Sequence, residues 1–414
     1  MAILKAFRGL RPIKEKAKQV ASRPYDVLNR EEARIEAGDN RYSFLHVVKP
    51  EIDLPDEQDP YAQEVYDRGK ENFKKLVDEG ILFQDEKECL YIYAQTMFGR
   101  TQYGIVGCAG VEDYLEDRIK KHELTRPDKE EDRKNHVRTS RMNYEPVFFT
   151  YRAVKEIDDI VAEIVKKEPE YDFTADDGVG HHFWVIREKE IIDSLLQLFS
   201  DIPNTYVADG HHRTAAAALV GNERKSNNPQ HNGAEEYNYF LAVHFPDKQL
   251  AILDYNRVVK DLNGLSEADF LKKLENGFLI EEKGTEVYKP DQAHNFAMYL
   301  AGKWYSLSAK EGTYNEADPI ACLDVTVLSE QVLTPILGIT DLRKSKRIDF
   351  VGGIRGMADL KRRVDSGEMM VAFALYPVSL AQLLKIADTG NIMPPKTTWF
   401  EPKLRSGLVI HLLD

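Results

Sequence analysis

Asp209-Gly210-His211-His212-Arg213 gathers a carboxylate, two imidazoles and a guanidinium into about one turn of chain. Four residues of strand character, TYVA, lead into it, and the run TAAAAL follows, so a strand hands over to a helix here. Gly210 lets the backbone come close to a ligand. The first N–H groups of the helix have no intrahelical partners and carry partial positive charge, which suits a phosphate. Arg213 would add a bidentate contact to phosphate oxygens. Asp209, at the strand end, would hold Mg²⁺, a hard ion that prefers oxygen ligands. His211 and His212 would hydrogen-bond a transferring group or shuttle a proton. The plain alternative is an Asp-Gly turn with solvated histidines, and the attached His-His-Arg favours a site over it. Zinc fits poorly, because adjacent histidines on a starting helix diverge and no HExxH accompanies them.

A second candidate is His122-Glu123-Leu124-Thr125-Arg126-Pro127-Asp128-Lys129. Glu123, just before a helix start and amid basic residues, would accept a proton from a hydroxyl nucleophile. Arg126 and Lys129 would hold a carboxylate or phosphates. Taken alone, this segment does not rise above a solvated charged face. The pair His181-His182 lies in strand-like sequence where neighbours face opposite sides, and it reads as packing. The basic run Arg343-Lys344-Ser345-Lys346-Arg347 stands out in an acidic chain; it reads first as a solvated loop, and alternatively as a means of steering anionic nucleotides. The chain has no GxxxxGK[ST] loop and no kinase-type glycine loop with HRD and DFG, so phosphate chemistry here needs another scaffold.

The elements that must position these residues alternate. Helical spacing runs over Tyr61 to Gly80 and from Val154 to Ile164, and Pro127 suits a helix start. LYIYAQ and TQYGIVGCA read as strands joined by MFGR, followed by strands PVFFTY and HHFWVI, a helix over Ile191 to Phe199, and strand TYVA. Asn222–Glu236 reads as an exposed loop. Strands YFLAVHF and LAILDY follow, then a helix from Ser266 to Gly277, a strand MMVAFALY and a helix over Leu380–Ala387. The pattern predicts an α/β (α+β) protein with an N-terminal α+β region (1–95), a core carrying both motifs (96–255) and a C-terminal α+β domain (256–414).

At 414 residues with 43% hydrophobic content, the chain has ample material for packed cores. A formal net charge of −13 argues against broad binding to nucleic acid or an anionic membrane. Three cysteines without a CxxC pair suit a reducing compartment. MAILKAFRGLRP lacks the apolar core of a signal peptide, and no run of ~20 apolar residues occurs, so a cytoplasmic protein is expected. Oligomeric state is not legible.

The stretches AFRGLRP, VASRPYDV, SFLHVVKPEIDLP, KKHELTRPDKEEDR, VADGHHRTAAA, DYNRVV and MPPKTTWFEPKLRSGL resemble a bacterial family long labelled as of unknown function. That family is similar in its middle region to the ParB/sulfiredoxin fold and is related to free serine kinases. The resemblance implies phosphorylation of L-serine to O-phospho-L-serine, with ATP or ADP as donor and Mg²⁺ as cofactor. It implies phosphate binding by Asp209-Gly210-His211-His212-Arg213 and catalysis by Glu123. Asp254 stands where the family carries proline before YNR, a departure at Tyr255 and Arg257. ParB-fold modules also bind nucleotides without phosphorylating a metabolite, so a nucleotide-binding regulatory protein is the competing expectation.

Overall fold

Strands β1 (Leu90–Met97) and β2 (Arg100–Gly110) form an antiparallel hairpin around the MFGR turn, rich in the aromatic and β-branched residues that pack on a pleated surface. The computed structural model describes residues 2–414. Around the hairpin the chain adds β3 (Ile119–Lys120), β4 (Val147–Tyr151), β5 (Tyr171–Thr174), β6 (Gly180–Ile186), β7 (Thr205–Asp209) and β8 (Tyr239–Pro246). The resulting eight-stranded sheet runs β3-β7-β4-β8-β2-β1-β6-β5. It is mixed: β7 is parallel to β3 and antiparallel to β4, while β8 is parallel to β4 and antiparallel to β2.

Side chains alternate between two cores, as strand period demands. Helices α3 (Lys155–Ile164) and α4 (Lys189–Ser200) cover one face, packing Ile157, Val161, Leu195 and Phe199 against Ile92, Ala94 and Ile105. The helix that opens at the motif, α5 (His211–Asn227), covers the other, with Ala217 and Ala218 against Val147, Phe149, Val207 and Phe240. The small alanines let its backbone lie close to the sheet. Helix α2 (Pro127–Ser140) lies beside it, and α1 (Gln63–Asp78) packs on α2; α2 starts on proline, as expected, and is tied to α5 by Arg138 and Glu223 at 2.8 Å.

A second unit, Ala251–Glu401, has its own six-stranded sheet. Its strands are β9 (Tyr255–Val259), β10 (Phe278–Gly284), β11 (Asn295–Leu300), β12 (Lys303–Ala309), β13 (Ile348–Gly352) and β14 (Val371–Ala374), in the order β10-β12-β11-β14-β9-β13. Helix α6 (Glu267–Leu274) starts after Ser266, whose side chain caps it by accepting from the Asp269 N–H.

The fold is α+β throughout, as the sequence pattern predicts. The three-region division does not coincide with the two units. Residues before 95 share the first unit with the core, because the chain near Lys5 and Phe7 bridges to Cys108 and Cys89, and β1 lies inside the large sheet. Pro402–Asp414 returns to that unit, with Ile410 bridging to Leu10 and β-pairing between His411 and Asn143. The expected loop 222–236 is corrected in its first half: α5 continues to Asn227, its last turn carrying Arg224 and Lys225, which suit a helix C-terminus. LAILDY divides into a two-residue strand, Ile252–Leu253, and the start of β9.

Candidate functional site

Gly210 caps α5 at φ 91°, ψ 35°, a conformation that glycine adopts without penalty. The missing side chain matters for a second reason. A Cβ there would stand 3.1 Å from Cζ, Nε and Nη2 of Arg213, so the guanidinium lies across the glycine Cα. Arg213 is buried; its Nη1 donates to the Pro146 carbonyl at 2.7 Å and its Nη2 to Asp209 Oδ2 at 3.2 Å. Nε is buried without a hydrogen-bond partner. The expected solvent-facing phosphate fork is therefore an internal brace that fixes the turn and one oxygen of Asp209.

The other oxygen of Asp209 accepts from Lys403 Nζ at 3.1 Å. Burial alone would raise the Asp209 carboxyl, but Lys403 and Arg213 outweigh it and hold the group below its usual range. Asp209 is thus an anion fixed between two cations, half-buried at the mouth of the helix. Among the described residues no group of three His, Cys, Asp or Glu side chains could hold a metal. With both its oxygens already on cations, Asp209 does not make a magnesium site by itself, which departs from the metal role expected of it.

The histidines divide. His211 is buried, with Nε2 lacking a partner, and its ring meets His122 edge to face at 4.5 Å. Burial, then the neighbouring His122, pushes its pKa well below the ordinary value, so it is a neutral imidazole and not an acid at pH 7. His122 is pushed down to about 4 by burial, against a hydrogen bond with the Val207 backbone. His212 is half-buried, and its Nε2 accepts the Arg126 backbone N–H at 3.0 Å, which leaves the ring proton on Nδ1.

These contacts dock the second motif onto the first. Glu123 is half-buried in a segment fixed on one side by His122 against His211, and on the other by Arg126 N–H on His212. The side chains of Arg126 and Lys129 are engaged elsewhere: Arg126 pairs with Asp128 at 2.7 Å and Lys129 donates to the Tyr61 hydroxyl at 3.1 Å. His181 is the packing residue expected, buried and hydrogen-bonded to the Tyr93 hydroxyl at 2.7 Å. Arg347 of the basic run, in the second unit, is tied to Asp261, with Nε at 2.9 Å.

Two residues near the site carried no chemical reading from sequence. Lys403 comes from EPKLRSGL, and Asp26, exposed in VASRPYDV, acts electrostatically on both His212 and Arg213. Both lie in stretches that resemble the family, but nothing in their spacing ties them to residue 209, more than 170 positions away.

A mixed α+β sheet whose motif turn opens a long helix defines the class of protein. The chain belongs to the family described as "Protein of unknown function (DUF1015)", which matches residues 4–326. No curated protein matches it. Solved structures similar to it include SbnI with a C-terminal truncation from Staphylococcus aureus, at 12% identity and a TM-score of 0.39, covering 74% of this chain and 87% of that one. A conserved hypothetical protein from Pyrococcus furiosus shows 15% identity and a TM-score of 0.36, over 75% of this chain and 95% of the other. A free serine kinase in complex with AMP shows 13% identity and a TM-score of 0.35, over 74% and 91%.

Proposed function

We propose that this protein is a cytoplasmic small-molecule kinase that transfers a phosphoryl group from ATP or ADP to the hydroxyl of free L-serine. The observation that carries the reading is the docking of the Glu123 segment onto the start of α5 through His122–His211 and Arg126–His212. A proton acceptor and a phosphate-suited helix start then share one wall, which is what phosphoryl transfer to a hydroxyl requires. The resemblance to free serine kinases supplies the substrate.

In this reading the backbone N–H groups at residues 211–213 receive the phosphates, and the unpartnered Nε2 of His211 lines the same turn. Gly210 and Arg213 hold the turn in shape. Glu123 takes the proton from the serine hydroxyl as it attacks. Arg126 and Lys129 are the cations for the serine carboxylate, since an exposed pair such as Arg126–Asp128 exchanges readily for a substrate anion. The oxygens of Asp209 already rest on cations, so a magnesium ion would come held mainly by the nucleotide phosphates and water.

Incubating the purified protein with L-serine, Mg²⁺ and ATP or ADP tests the reading. Phosphoserine is the expected product. Tight nucleotide binding with no phosphoserine from either donor would replace the kinase with the nucleotide-binding regulatory protein.

A further inference from the structure

The C-terminal segment does more than close the first unit. Lys403 lies 194 residues beyond Asp209, yet its ammonium rests on Asp209 Oδ1 at 3.1 Å, on the side of the carboxylate away from Arg213. Its backbone is fixed from beneath. Gln95 Nε2 donates to the Lys403 carbonyl at 2.9 Å, and Gln95 Oε1 accepts from Gln102 at 3.1 Å; both glutamines are buried. Two residues on, the Arg405 N–H donates to the Tyr93 hydroxyl at 3.3 Å and its guanidinium pairs with Asp177. Buried glutamines and tyrosine spent on one carbonyl and one N–H give the lysine a fixed origin, which a stray surface lysine lacks.

The two cations on Asp209 differ in what they can reach. Arg213 is committed to Pro146 and to the Cα of Gly210, with its side chain 6% exposed. Lys403 keeps 14% exposure and presents a compact ammonium with three rotatable donors. Beside it begins a helix of 17 residues, where His211 Nε2 and Arg213 Nε, each on a side chain more than nine-tenths buried, lack partners. An unsatisfied buried N–H on Arg213 and an unpartnered ring nitrogen on His211, both at a helix start, indicate an anion.

We infer that Lys403 is a phosphate-contacting residue of this site, delivered by the returning C-terminal segment and oriented by Asp209. The inference rests on the nucleotide-site reading above and names a side chain that the reading did not contain. In the reaction, the bond between the bridging oxygen and the terminal phosphorus breaks as the serine oxygen–phosphorus bond forms. The hydroxyl proton goes to Glu123, and the leaving nucleotide carries away the bridging-bond electron pair. Lys403 stays protonated and offsets the charge gathering on the phosphate oxygens. Asp209 acts on the lysine as a positioning residue.

The test uses the full chain with Lys403→Met, Lys403→Gln and Lys403→Arg, titrated calorimetrically at low salt with ATP, ADP and adenosine. Loss of a charge-assisted hydrogen bond should weaken ATP and ADP by about 10- to 150-fold in the Met and Gln variants. Adenosine, which has no phosphate, should bind as to wild type, and Lys403→Arg should recover most of the nucleotide affinity. Equal weakening of adenosine and ATP, or unchanged ATP affinity in a folded Gln variant, overturns the assignment and leaves Lys403 a structural tie. Glutamine keeps a donor for Asp209, so Lys403→Gln serves where methionine prevents folding. Absence of nucleotide binding by wild type overturns the site reading itself, a result distinct from wild-type binding that Lys403→Gln retains.

Discussion

Alanine at Gly210 should be costly for two separable reasons, and Gly233 provides the control. Both glycines hold nearly the same backbone angle, φ 91° at Gly210 and 92° at Gly233. A Cβ at Gly233 meets nothing within 4 Å, so Gly233→Ala carries only the left-handed backbone penalty, about 1–2 kcal/mol. At Gly210 the same Cβ lies 3.1 Å from three guanidinium atoms of Arg213. That guanidinium cannot turn aside without loosening its bonds to Pro146 at 2.7 Å and Asp209 at 3.2 Å. Hydrogen bonds involving a charged group are worth about 1.5–3 kcal/mol, and partial loss adds roughly 1–2 kcal/mol to the backbone term. Gly210→Ala should therefore destabilise by about 2–4 kcal/mol, roughly twice the control. For a unit of this size each kcal/mol moves Tm by about 2–4 °C, so thermal melts followed by circular dichroism resolve the difference. Equal shifts for the two variants would refute the packing of Arg213 on Gly210 as an energetic feature of the turn.

Glu123→Gln keeps size and an acceptor but loses basicity; serine phosphorylation should fall by about 10²–10⁴-fold while calorimetric nucleotide affinity is retained. Near-normal turnover in a folded variant would move the base elsewhere. Asp209→Asn leaves Arg213 and Lys403 without their shared anion. The loss should be near the lower end of the ~3–5 kcal/mol typical of a broken buried pair, because the Asp209 side chain keeps 24% exposure; urea melts measure it. His244 sits between the rings of Phe149 and Phe199 at 5.5 and 5.3 Å, with both ring nitrogens buried and unpartnered, and burial pushes its pKa down to about 3. Between pH 6.5 and 3 the unfolded chain takes up a proton there that the native state refuses, so stability falls as pH is lowered through that window, by up to roughly 4 kcal/mol for this group. His244→Phe should flatten that part of the pH–stability curve and raise stability at pH 7 by about 1–2 kcal/mol; an unchanged acid slope would count against it.

Local chemistry was legible wherever its cause is local. The Asp-Gly turn into an alanine helix, the hairpin around MFGR, the proline start of α2 and the serine cap of α6 each follow from residues a few positions apart. Sequence also singled out the 209–213 motif by its residue types, whereas Glu123 stood out through the family resemblance and not through its charged surroundings. Orientation was a different matter. Whether Arg213 faces a ligand or braces its own turn depends on Pro146 and on the bare Cα of Gly210, which periodicity does not reveal. That His122 meets His211, and that the Arg126 N–H caps His212, needed β3 and β7 to pair and bring positions nearly ninety residues apart together. The far C-terminus was least legible. Lys403 reaches Asp209 only because Pro402–Asp414 folds back onto the first unit, and long-range closure of that kind leaves no spacing signature along the chain. The sequence by itself determined which groups are available and which short segments hold them. Tertiary structure alone decided which charges meet, because two groups interact through their separation in space, which chain distance does not determine.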